Sequence, residues 1–173
     1  DITPDPGTNA IPAVGDNYDR IEIATAPSNG NVVYGIFEGN GTYDVNNIKQ
    51  YDASTNTWTN RTVPNYSGGG AYTRNQAWYD LIASVDPNNA NTLYIGAIDV
   101  YKSTNNGANW TQVSDWRPVG LPYVHADVHQ IAFAPGSSSR LAIGCDGGIF
   151  YSADANLASP NFAEKNSGYN VTQ

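Results

Sequence analysis

A pattern of short strand, proline turn, second strand, loop, third strand and aromatic residue recurs three times along this chain. A repeat of this kind constrains the fold more than any single motif does. The first copy runs Ile21-Glu-Ile-Ala-Thr-Ala-Pro27, Val32-Val-Tyr-Gly35, Ile48-Lys-Gln-Tyr-Asp52 and Thr57-Trp58. The second runs Leu81-Ile-Ala-Ser-Val-Asp-Pro87, Thr92-Leu-Tyr-Ile-Gly96, Val100-Tyr-Lys-Ser103 and Asn109-Trp110. The third runs His129-Gln-Ile-Ala-Phe-Ala-Pro135, Leu141-Ala-Ile-Gly144 and Ile149-Phe-Tyr-Ser152, with Phe162 near the Trp position. The prolines lie 60 and 48 positions apart and the glycines 61 and 48. Pro27, Pro87 and Pro135 follow the first strand of each copy, where a missing N–H leaves no ladder bond unmade.

A fourth strand is expected after each aromatic, over Thr57–Val63 and Trp110–Val113 in the first two copies. Four short strands in roughly 50 residues make one blade of a β-propeller, whose sheet buries each face against a neighbour. Composition agrees. Gly, Asn, Ser, Thr, Pro and Tyr suit short strands and tight turns. No apolar stripe of helical period is sustained. The expected fold is therefore all-β: a β-propeller of four-stranded antiparallel blades in an incomplete ring. About three blades are present, of roughly six to eight in a full propeller. Residues 1–15 read as a lead-in or linker, and residues 16–173 as a partial propeller. The blades fall at about 16–75, 76–123 and 124–173. Asp1 and Gln173 read as trimmed ends, and the principal partner is expected to be further blades, from the same polypeptide or from another chain.

The 16 acidic residues against 8 basic ones, a net charge of −8, argue against a nucleic-acid partner. No apolar run reaches the ~18 residues that a membrane-spanning helix needs. Cys145 is the sole cysteine, so no internal disulfide can form. The Asn/Thr-rich, Lys-poor make-up points to a secreted bacterial protein, extracellular or at the cell surface.

Ser103-Thr-Asn-Asn-Gly-Ala-Asn-Trp110 resembles the Asp-box, or BNR repeat, of pattern S-x-D-x-G-x-T-W. Ser103, Gly107 and Trp110 match it, and Asn105 stands at the Asp position. Ser152-Ala-Asp154 begins a second box that an insertion breaks, and Asp52 to Trp58 is a weaker third. The box is a turn device: an Asp or Asn side chain accepts backbone N–H bonds across the turn, and Trp packs between blades. The resemblance places the chain with Asp-box propellers such as sialidases, sortilin-type receptors and xyloglucan-degrading glycosidases. It implies that the boxes lie on the face away from a binding site.

In such propellers the loop leading into the innermost strand and the loop between strands two and three share one rim. That rim would collect Asp19, Arg20, Trp78, Tyr79, Asp80, Asp99, His125, Asp127 and Asp146. Arg20, Trp78, Tyr79 and His125 are candidate ligand-binding residues. Trp78 and Tyr79 would either stack on sugar rings or fill a gap between blades. His125, Asp127 and His129 alternate, so a strand would point all three to one side. With Asp146 they would hold Ca²⁺ or a transition-metal ion, or else form a hydrogen-bonded channel lining. Asp146-Gly147-Gly148 also reads simply as a tight turn. Asp80, Asp99, Asp127 and Asp146 are the candidate catalytic carboxylates of a glycoside hydrolase, which needs a pair about 5–9.5 Å apart. A sialidase would need three converging arginines, and Arg20 alone falls clearly on the rim. The functional expectation is a binding or structural module for glycans or protein partners, with a glycoside hydrolase as the alternative.

Overall fold

The computed structural model describes residues 18–168. The expected lead-in over 1–15 and the terminal Gln173 lie outside these residues. Three antiparallel sheets of four strands follow one another along the chain. The first holds β1 (Tyr18–Thr25), β2 (Val32–Gly39), β3 (Val45–Asp52) and β4 (Thr57–Arg61). The second holds β5 (Ile82–Val85), β6 (Leu93–Gly96), β7 (Val100–Ser103) and β8 (Thr111–Gln112). The third holds β9 (Val128–Phe133), β10 (Leu141–Cys145), β11 (Gly148–Ser152) and β12 (Ala163–Glu164). In each sheet the strands lie in sequence order, and β5 packs against both β1 and β9. The first strands therefore stand together at the centre and the fourth strands lie outermost, as propeller blades require.

The core consists of the two spaces between sheets. Tyr34, Ile36 and Ile48 of the first blade meet Val85, Leu93, Ile95 and Tyr101 of the second. On the other side, Ile82, Tyr94 and Val100 meet Val128, Ile131, Leu141, Ile143 and Phe150 of the third. The middle blade is covered on both faces, so all four residues of β6 and of β7 are buried. In the end blades, strands β1 and β11 alternate in burial instead, which leaves Ile23 63% and Ile149 47% exposed on the outward faces. On the outward face of the first blade Phe37, Tyr51 and Trp58 pack on one another.

Ladder and turn bonds fix the register of the repeat. Ala26 N donates to Val32 O, Asp86 N to Thr92 O and Ala134 N to Arg140 O. The three prolines are thus equivalent, as the sequence pattern has them, but the glycines are not. Counted from these bonds, Ile36 is the equivalent of Gly96 and Gly144, and Gly35 lies one position away on the opposite face. The one-residue discrepancy between the proline and glycine spacings reflects this. Tyr34 and Tyr94 are true equivalents: each hydroxyl donates to a carbonyl of the following blade, Ala90 O and Ala155 O respectively.

The Asp-box of the second blade has the expected geometry. Ser103 Oγ accepts from Gly107 N at 2.9 Å, and Asn105 Oδ1 accepts from Asn109 N at 2.9 Å. Asn106 and Gly107 take the left-handed conformation that the turn needs, at φ 60° and 76°. Trp110 Nε1 donates to Thr62 O of the first blade at 2.8 Å, so this residue does join two blades. In the third blade Ser152 donates to Asp154, which in turn accepts from Asn161 N at 2.8 Å. The insertion is looped out and the box closes across it. The first blade keeps the Thr57-Trp58 end of the box, with Ala53 where the second blade has Asn105.

Candidate functional site

Hydrogen bonds join several of the loops that the sequence reading set on one rim. Asp44, on the β2–β3 loop, accepts from Thr73 Oγ1 and Asn75 N of the loop that enters the second blade. Arg74 of that loop pairs with Asp99, on the β6–β7 turn, at 2.5 Å. Asp99 also accepts from Trp116 N, on the loop between β8 and β9, at 2.8 Å. Asp146, on the β10–β11 turn, accepts from the Tyr79 hydroxyl at 3.0 Å and is bonded to His129 Nε2 at 2.6 Å. Three blades thus contribute to one continuous surface.

The candidate residues sort into three groups on that surface. Trp78 and Tyr79 are 58% and 38% exposed, and their rings lie against one another at 5.5 Å. Tyr79 also meets His129 edge-on at 4.8 Å. Its bond to Asp146 pushes the phenol pKa up, because ionisation would set two negative charges together.

The second group is tied to the protein itself. Arg20 donates to the carbonyls of Ala77, Trp78, Tyr79 and Leu81, so it fastens the loop of the next blade and its fork is not open to a ligand. Asp99 is buried, and burial raises its carboxyl while Trp116 N and Arg74 pull the other way. Ring Nδ1 of His125 lies 3.1 Å from Ala126 O.

The third group is Asp80 and Asp127. Asp80 is wholly buried, and among the described residues no hydrogen-bond donor partners either carboxylate oxygen. Burial first, and the charge of Asp127 second, push it up to about 8. Asp127 is also raised, by burial and then by Asp146.

The alternation expected for His125, Asp127 and His129 is not present. Asp127 has φ 65°, a left-handed conformation outside any strand, and β9 begins only at Val128. The β9–β10 ladder then shifts register, pairing Val128 with Cys145 and Gln130 with Gly144, so His129 falls at the bulge. Among the described residues no three His, Cys, Asp or Glu side chains converge as a metal-ligand set. The grouping of His125, Asp127, His129 and Asp146 around one ion is therefore not formed. The Cys145 thiol is pushed up to about 11 by burial, which makes it a poor nucleophile or soft-metal ligand.

One rim feature does not stand out from sequence. A cleft of about 240 Å³ is lined by Arg74, Gln76, Ile98, Trp116, Ala126 and Asp127. Trp116 is 43% exposed beside it, with the Arg117 guanidinium 5.9 Å from its ring. The only sequence sign is a Trp on a long loop between two blades, a place where binding residues concentrate. A larger open groove of about 660 Å³ runs down the centre along β1, β5 and β9. Among the described residues no helix is long and apolar enough to cross a membrane.

No family model matches the chain, and no curated protein matches it. Solved structures do. A GH74 enzyme of Niastella koreensis matches 82% of this chain at 23% identity and TM-score 0.57. A GH74 xyloglucanase of Xanthomonas campestris matches 82% at 18% identity and TM-score 0.56. YCF48 of Cyanidioschyzon merolae matches 87% at 12% identity and TM-score 0.52. The chain spans 22% of each glycosidase chain and 38% of YCF48. Its three sheets match part of these larger folds, so the chain has the fold of a three-blade portion of a β-propeller.

Proposed function

We propose that this propeller portion is a binding module of a secreted or cell-surface protein, and that its rim takes glycans. The observation that carries this reading is the pairing of open aromatic faces with a polar cleft. Trp78 and Trp116 present rings to solvent, and the cleft beside Trp116 carries Arg74, Gln76 and Asp127. Aromatic faces suit the apolar faces of sugar rings, and a few convergent polar groups suit their hydroxyls. Binding is favoured over hydrolysis because three of the four candidate carboxylates are occupied or hidden, and Asp127 alone lines the cleft. Asp80 and Asp99 are buried, and Asp146 already holds Tyr79 and His129.

The test is a glycan array followed by calorimetry on any hit. Trp78→Ala and Trp116→Ala should each weaken binding by roughly three- to tenfold, the worth of one stacking contact. Undiminished binding in both variants would refute the rim as the site. A glycoside hydrolase is the second reading, favoured by the likeness to GH74 enzymes and by Asp127 lining the cleft with a raised carboxyl. It expects released sugar from a polysaccharide substrate, abolished in Asp127→Asn.

A further inference from the structure

Behind the rim lies a set of buried oxygens that meet no hydrogen-bond donor among the described residues. Both Asp80 carboxylate oxygens are without a hydrogen-bond partner, and so is the Tyr72 hydroxyl. Both residues are 0% exposed. After burial, the charge of Asp80 is the largest influence raising the Tyr72 phenol, so the two groups sense one another. Asp127 faces the same place from the loop before β9. Its charge acts on Asp80, and the two carboxyl groups lie within hydrogen-bonding reach of one another.

A buried carboxylate without a partner is costly, and proteins correct it with a proton, a countercharge or a metal ion. A proton shared with Asp127 would satisfy one oxygen of Asp80 and leave the other, and the Tyr72 hydroxyl, without a partner. The nearby cation, Arg20, directs its N–H groups at four backbone carbonyls and none at Asp80. A cation that drew on both carboxylates would give the stranded oxygens a partner.

We propose that Asp80 and Asp127 hold a hard divalent cation, calcium, between the second and third blades. The unpartnered donors here are oxygens, the Asp80 carboxylate and the Tyr72 hydroxyl, and Asp127 adds a second carboxylate, with water to complete the shell. Calcium accepts six to eight oxygens in irregular geometry, whereas zinc favours nitrogen and sulfur. His129 is held by Asp146, and the thiol of Cys145 stays protonated at neutral pH. The left-handed backbone of Asp127 is a strained conformation of the kind that persists where a site needs a side chain aimed. An ion here would fasten the loop before β5 to the loop before β9 and so set the floor beneath Tyr79 and the cleft.

The test begins with chain stripped by a chelator and titrated with calcium, magnesium or zinc. Melting temperature, calorimetry and elemental analysis are the readouts. The expected result is one calcium per chain and a melting temperature raised by several degrees, with a weaker response to magnesium. Asp80→Asn and Asp127→Asn should each abolish the shift, while Glu38→Gln, another buried unpartnered carboxylate in the first blade, should retain it. No bound ion in the wild type, or a calcium shift that survives in either Asp variant, would overturn the proposal. If Asp80→Asn fails to fold, Asp127→Asn and the wild-type stoichiometry still decide it.

Discussion

Gly96 gives the sharpest test of how the blades pack. It ends β6 on the face toward the third blade. A Cβ built there would lie 2.7 Å from Val128 Cγ1, 2.9 Å from Ile82 Cγ2 and 3.0 Å from Val128 Cβ. Carbon atoms prefer about 3.5–4.0 Å, so Gly96→Ala requires a shift of nearly an ångström. Both neighbours are buried and β-branched, with little rotamer freedom to yield. Overpacking of this kind costs about 1–3 kcal/mol. Against it stands a gain of about 0.4–1 kcal/mol from a stiffer unfolded chain. The net expectation is a loss of about 1–2 kcal/mol, which for a domain of this size lowers the melting temperature by roughly 2–8 °C. Urea and thermal denaturation of wild type, Gly96→Ala and Gly96→Ala/Val128→Ala measure it. The double variant should recover part of the loss, because Val128→Ala opens the space that the new methyl needs. A Gly96→Ala protein as stable as wild type would refute the close approach of the second and third blades at this point.

Three further outcomes follow from named contacts. Trp110→Phe keeps most of the packing but removes the Nε1 bond to Thr62 O, so it should cost about 1 kcal/mol in a denaturant titration. Asp154 has its carboxyl held below the usual range, chiefly by the Asn161 side chain, then by Asn161 N and Ser152. Its folded pKa is lower than its unfolded one, so its contribution is complete above about pH 4 and is lost as pH falls through the folded value; Asp154→Asn should flatten that acid limb of the stability curve. Lys102 Nζ donates to Ala155 O at 2.8 Å and Leu157 O at 2.7 Å, so Lys102→Met should loosen the insertion that follows Asp154 and raise its rate of proteolytic nicking.

The repeat was legible because it is local. Pro27, Pro87 and Pro135 mark equivalent turns, and Ser103, Asn105, Gly107 and Trp110 build theirs from one short segment. Even the interrupted box could be read as far as Ser152 and Asp154, since those two bond to each other. The site was legible only in outline. Its membership depended on which loops share a rim, a property of the fold class. The roles depended on partners distant in sequence. Arg20 looked like a free cation, but its acceptors lie 57–61 positions away. The reading of His125, Asp127 and His129 failed for a different reason. Alternation holds only inside a strand, and a left-handed Asp127 followed by a bulge cannot be told from a strand by residue type alone.

The two end faces of the chain differ, and the difference carries structural meaning. Tyr94 and Gly96 form the face of the second blade that receives the third. Their equivalents in the third blade are Ala142 and Gly144, which look outward with half-exposed Tyr151 and exposed Ile149. A Cβ on Gly144 meets only Gln130 Cβ, at an ordinary 3.6 Å. If Gly96 is a glycine because the next blade comes close, the same reason should apply to Gly144 once the next blade is present. Gly144→Ala should therefore be neutral or slightly stabilising in this chain. In a longer chain that includes the following blade it should be destabilising, by about the 1–2 kcal/mol argued for Gly96→Ala. Equal effects in the short and long chains would mean that the third blade does not receive its neighbour as the second does.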